Sequence, residues 1–186
     1  MLKKVKKELD AMYLAREKAL KVQREIVPLC SSAIKDLHHN RRAPAMKKLQ
    51  KIKSKIKKVE GILKKYPEIV NSVLGAAYQE FAELSIFLTY TSTGKLPELK
   101  IPAKFYVLGL GDAIGELKRR GMELLAEHRI KQALALEKKL EGLYFEFADF
   151  NYPNVVVPGL KHKQDIARKV LNDFHNQILA YKLTRR

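Results

Sequence analysis

Apolar residues in this chain recur at intervals of three and four along almost its whole length, which is the spacing of a helix face and not of a strand. The clearest case is Leu49, Ile52, Ile56, Val59, Leu63 and Tyr66, a three-four rhythm whose remaining faces carry lysines 47, 48, 51, 53, 55, 57, 58, 64 and 65. Such a segment packs through one seam and turns the rest of its surface to water or to a phosphate backbone. Apart from the short run Val155-Val156-Val157, nothing alternates with period two. The expectation is an all-α fold of six to seven mostly antiparallel helices, 1–186 forming a single domain.

Prolines and glycines punctuate the pattern. Residues 2–39 read as one long helix with Leu2, Val5, Leu9, Met12, Ala19, Val22 and Ile26 along one stripe, interrupted by Pro28. A turn at Asn40-Arg41-Arg42-Ala43-Pro44 leads into a helix over 45–65. Pro67 opens a third helix that stops near Thr91, in the Thr91-Ser92-Thr93-Gly94 cluster, and a Pro-bearing extended loop follows over 95–102. Further helices are expected over 103–126, 129–149 and 161–183, the last burying Ile166, Val170, Phe174, Ile178 and Tyr181. Gly109, Gly111, Gly115 and Gly121 weaken the 103–126 helix, so they imply close helix approach. In broad terms the chain divides into basic helices over 1–65, carboxylate-bearing helices over 67–126 and C-terminal helices over 129–184.

Two of these segments carry acids where apolar residues dominate. Glu80 and Glu83 lie three apart within Tyr78-Gln79-Glu80-Phe81-Ala82-Glu83-Leu84, and Asp112 and Glu116 lie four apart within Leu110-Gly111-Asp112-Ala113-Ile114-Gly115-Glu116-Leu117. Each pair therefore shares one helix face. Glu83 and Asp112 each stand about eight residues from the intervening connection, about 12 Å along a helix axis at 1.5 Å per residue. An antiparallel fold brings both pairs to one level. Four facing carboxylates repel unless protonated or neutralised, and hard oxygen ligands suit Mg²⁺ or Mn²⁺. The alternative is that the acids pair with lysines at a helix surface.

Charge narrows the choice of partner. The net charge is +17, and residues 1–65 hold 20 Lys/Arg against 6 Asp/Glu, while 66–186 hold 17 against 14. A basic half next to an acidic pair of segments implies a polyanion partner, because Lys and Arg bind phosphates through counterion release. A lysine-rich surface of the thermostable type is the alternative. Arg24, Arg41, Arg42, Arg119, Arg120 and His38 are the candidates for positioning nucleic acid. Neither a signal peptide nor a membrane span is expected, and a lone Cys30 gives neither a disulfide nor a zinc site, so a cytoplasmic location follows as an expectation.

The stretches Arg16-Glu17-Lys18-Ala19-Leu20-Lys21-Val22-Gln23-Arg24-Glu25-Ile26-Val27, Gln79-Glu80-Phe81-Ala82-Glu83 and Tyr106-Val107-Leu108-Gly109-Leu110-Gly111-Asp112-Ala113-Ile114-Gly115-Glu116-Leu117-Lys118-Arg119 resemble patterns of the translin family, in archaeal-type form. The acid pair at 80 and 83 is similar to that of the translin-associated factor X branch. Departures are His39 where the family has Arg, Pro28 inside the first pattern, and no Arg/His cluster at the start of the acid-bearing helix. The resemblance implies a seven-helix protomer in closed hollow homo-oligomers, commonly octamers, with Mg²⁺-dependent endoribonuclease activity on single-stranded RNA. It carries catalytic roles onto Glu80, Glu83 and Asp112, with Glu116 as a further metal acid. Rival expectations are a non-catalytic translin-like binder of RNA or single-stranded DNA, a ferritin-like di-metal protein and a structural helical scaffold. The ferritin-like class uses Glu-x-x-His pairs, and this sequence has none.

Overall fold

A computed structural model describes residues 1–183. The described residues form seven helices: α1 (Leu2–Gln23), α2 (Ile26–His38), α3 (Arg42–Leu63), α4 (Pro67–Thr93), α5 (Ala103–Ala126), α6 (Ile130–Ala148) and α7 (Leu160–Leu183). The all-α expectation holds. Residue 184, the expected end of the last helical segment, lies outside the described residues. Contacts gather into two compact units, Met1–Leu84 and Ser85–Arg186, and α4 supplies residues to each.

In the first unit α3 packs on both α1 and α2. The seam read from the sequence is the buried one: Leu49, Ile52, Ile56, Val59 and Leu63 are all buried, joined by Ala45. Ile26, Cys30, Ala33 and Ile34 of α2 supply the facing layer. The long first helix expected over 2–39 is two helices, and the break falls at Arg24 and Glu25, ahead of Pro28. Pro28 instead takes the third position of α2, where a backbone N–H has no helical acceptor and its loss costs nothing. Pro44 sits equivalently in α3, which begins at Arg42, earlier than expected. Only the C-terminal part of the α1 stripe is covered: Ala19 is buried, whereas Leu2, Val5 and Leu9 are exposed.

Three ion pairs fix α2 against α3 and the turn between them. Asp36, buried on α2, accepts from Lys48 Nζ at 2.5 Å and from Arg41 at 2.8 Å, while Lys55 reaches Glu25 at 2.5 Å. Lys48 and Lys55 of the nine seam-flanking lysines are therefore engaged among the described residues. Asn40 turns the chain at φ +58, a left-handed conformation that asparagine tolerates.

In the second unit α5 packs against α6 and α7, which also touch each other. Two of the four glycines have the expected function. A Cβ at Gly111 would stand 3.0 Å from the Phe147 ring of α6, and one at Gly121 would overlap the Phe174 ring of α7. Gly115 has nothing near its missing Cβ, so close approach does not account for it. α4 ends at Thr93, inside the expected Thr91-Ser92-Thr93-Gly94 cluster, where Thr91, Ser92 and Thr93 turn their hydroxyls back onto the carbonyls of Phe87, Leu88 and Thr89. Gly94 then ends it at φ +69. Residues 150–159 are non-helical as expected, with Val157 buried and Val155 and Val156 exposed. The buried Gln164 amide of α7 donates to the carbonyls of Phe147 (3.0 Å) and Phe150 (2.7 Å), closing the end of α6. In α7 Phe174 and Ile178 are buried as expected, but Ile166 is exposed and Gln164 and Ala167 take the inner positions, because the buried face is rotated from the apolar stripe.

Candidate metal and nucleic-acid site

Glu80 and Glu83 project from α4 within a buried run in which Phe81, Ala82 and Leu84 are each nearly inaccessible, and both acids are themselves half-buried. Their charge is felt on α2: burial pushes the Cys30 thiol up, and the fields of Glu80 and then Glu83 raise it further. Cys30 is therefore a neutral, inert core residue, unfit as a thiolate ligand or nucleophile.

Asp112 and Glu116 lie one turn apart on α5 and are half-buried. Lys163 of α7 donates to Asp112 Oδ1, and the two side chains are each 25% exposed. Glu116 has the Arg119 guanidinium at 4.0 Å. Arg119 is an i,i+3 neighbour that the spacing already offered, whereas Lys163 was not legible beforehand, since it is 51 positions from Asp112 and lies in no motif.

Among the described residues no three His, Cys, Asp or Glu side chains gather as a metal-ligand group; the acids come as a pair in each unit. That donor set still suits Mg²⁺, which keeps several waters and takes one or two carboxylates plus substrate phosphate oxygens. Glu80 with Glu83, and Asp112 with Glu116, are the residues able to supply such oxygens.

The basic candidates divide by exposure. Arg24, Arg41, Arg42 and Arg119 are exposed, and Arg41 is also engaged with Asp36. Arg120 is only 16% exposed and is held 3.1 Å from Glu123. His38, expected as a surface contact, is buried at the end of α2. Burial follows from its helical register, four residues on from Ile34 along the packed face of α2.

No family model matches the chain. Over 171 residues it is 34% identical to the uncharacterized protein MJ0175 of Methanocaldococcus jannaschii, an alignment covering 89% of this chain and 76% of that protein. Its fold superposes on the crystal structure of AfC3PO, an archaeal protein of translin type, with a TM-score of 0.92 at 29% identity, covering 99% of this chain and 98% of the other. The chain belongs to the translin family. A second AfC3PO structure, a complex with duplex RNA, matches this translin-family chain with a TM-score of 0.91 at 29% identity, covering 99% and 97% of the two chains. Apo-NeC3PO shares the translin-family fold, with a TM-score of 0.85 at 22% identity over 97% and 96%.

Proposed function

We propose that this translin-family protein is an RNA-binding, metal-dependent endoribonuclease that cleaves single-stranded RNA within a homo-oligomer, the octamer being the expected size. The observation that carries it is the seating of two acid pairs, Glu80 with Glu83 and Asp112 with Glu116, in helix faces that are otherwise apolar. Acids drawn into otherwise apolar helix faces are commoner at functional sites than elsewhere, which supports a cation or a substrate as what they serve. A relative at 29% identity is solved with duplex RNA, which supports RNA as the partner class.

Glu80, Glu83 and Asp112 are assigned as catalytic and metal-holding acids and Glu116 as a further metal acid. Mg²⁺, with Mn²⁺ as a substitute, supplies a lowered water pKa and neutralises phosphoryl charge. The carboxylates orient the attacking water and accept its proton as the new P–O bond forms; the bond to the leaving ribose oxygen breaks, and that oxygen takes a proton from solvent. Exposed arginines Arg24, Arg41, Arg42 and Arg119 are assigned to hold the strand by its phosphates.

The test is cleavage of a fluorogenic single-stranded RNA by Glu80→Gln/Glu83→Gln and Asp112→Asn proteins, with Mg²⁺ and with EDTA. A loss on the order of 10²-fold or more is expected for each. Parent-rate cleavage by either variant removes the catalytic assignment. Binding without cleavage is the second reading, favoured by the pairing of Asp112 with Lys163, since a structural acid is paired in just this way. Retained RNA affinity in a protein that never cleaves with either ion would select it.

A further inference from the structure

Beyond the acids, the second unit holds a cleft of about 320 Å³. Gln132, Leu136 and Lys139, at spacings of four and three on α6, form one wall; Arg120 of α5, Arg129 at the α5–α6 turn and Tyr90 of α4 close it. Arg120 lies four residues beyond Glu116 and eight beyond Asp112 on α5, about 6 and 12 Å along the axis, and neither acid lines the cleft.

Three cations surround this small space, and the way they are held is informative. Arg120 lies 3.1 Å from Glu123 and 3.7 Å from Glu127. Arg129 lies 2.7 Å from Glu127 and donates to Gln132 Oε1 at 2.5 Å. Both guanidinium forks are thus oriented in advance by a shared carboxylate, whose own pKa is lowered first by the hydrogen bond from Arg129. Lys139 makes no ion pair among the described residues, whereas Glu123 and Glu127 are shared among Arg119, Arg120 and Arg129, and the charge of Glu146 reaches the Tyr90 hydroxyl. The Lys139 ammonium lies where a Cβ at Gly94 would stand 3.2 Å away, so the glycine leaves it room. Planar forks and a nearby ammonium match phosphate oxygens, and Leu136 with the buried Tyr90 body offers an apolar surface for a base or ribose. The volume falls at the small end of ligand sites, roughly 300 to 1,000 Å³.

We infer that this cleft binds the phosphate of a nucleotide, supplied either by a strand of RNA or by a free mononucleotide. The strand source rests on the RNA-binding function proposed above; the free-nucleotide source does not.

The experiment compares the parent protein with Lys139→Met and Arg129→Met. Melting followed by circular dichroism checks that each variant is folded, and Lys139→Arg serves as the charge-keeping control. Fluorescence anisotropy of labelled oligouridylate is measured across a salt series, and AMP binding is measured by calorimetry. If a strand phosphate occupies the cleft, each Met variant makes the slope of log K against log salt shallower by about 0.7, the value for one phosphate on a single strand, and Lys139→Arg restores it. If a free nucleotide is the ligand, AMP affinity falls about tenfold in both Met variants while the oligonucleotide slope stays at the parent value. Parent values in both measurements overturn the inference. A parent that binds AMP in an Arg129- and Lys139-dependent manner but no oligonucleotide overturns the RNA function while upholding the cleft.

Discussion

Lys163 of α7 donates its ammonium proton to Oδ1 of Asp112 on α5, across 51 residues of sequence, with both side chains three-quarters withdrawn from solvent. The stem of Lys163 also packs beside Gly111, where a Cβ would lie 3.1 Å from its own Cβ. The residue before Asp112 is thus a glycine that lets α7 bring this lysine close. Protein, rather than solvent, is the resident counter-charge of one proposed metal acid, and any divalent cation has to compete with it.

Lys163→Met is therefore expected to strengthen divalent-ion binding in the absence of RNA. An exposed to half-buried ion pair is worth up to about 1 kcal/mol, so the Kd for Mn²⁺ should fall roughly fivefold by calorimetry. Asp112→Asn on the same background should abolish that gain. An unchanged Mn²⁺ affinity in Lys163→Met would show that the lysine does not compete for Asp112.

The contact of α5 with α7 should be intolerant of a single methyl group at one place. Gly121 lies under the Phe174 ring, itself fully buried, and a Cβ there overlaps it. Gly121→Ala gains helix propensity, worth up to about 1 kcal/mol, but overpacking costs about 1–3 kcal/mol. Net destabilisation is expected in urea unfolding, with Phe174→Leu partly restoring the Gly121→Ala protein in a double-mutant cycle. Additive effects of the two substitutions would mean that they do not meet.

Acid stability of the first unit should depend on Asp36. The hydrogen bond from Lys48 holds its carboxyl below the ordinary range, with the charges of Lys48 and Arg41 assisting and burial opposing. A folded pKa depressed below the unfolded value, about 3.9, contributes stability that is present above that pH and is lost as pH falls through the folded value. Lys48→Met should lower the urea midpoint by a constant amount at pH 5 to 7. The gap should close below about pH 4 as the parent carboxyl becomes protonated. A gap of equal size at pH 3 and pH 7 would assign the loss to the lysine stem alone.

Helix identity was legible in the residues because it depends on local geometry. A 100° turn per residue puts Leu49, Ile52, Ile56, Val59 and Leu63 on one line, and all five are buried. Pro67 and Pro102 likewise mark the starts of α4 and α5, since a proline nitrogen is tolerated only there. The same local arithmetic placed Glu80 with Glu83, and Asp112 with Glu116, each as a pair on one face.

Tertiary structure alone decided which faces are covered and which charges meet. An apolar stripe does not say where its cover ends, and α1 buries Ala19 while leaving Leu2, Val5 and Leu9 exposed. Lys163 became the partner of Asp112, and Arg129 and Lys139 came to share a cleft with Arg120, through the packing of α5 with α6 and α7. Burial of apolar surface is non-directional and rewards any well-filled arrangement, so these long-range pairings follow from how whole helices fit together and not from any spacing along the chain.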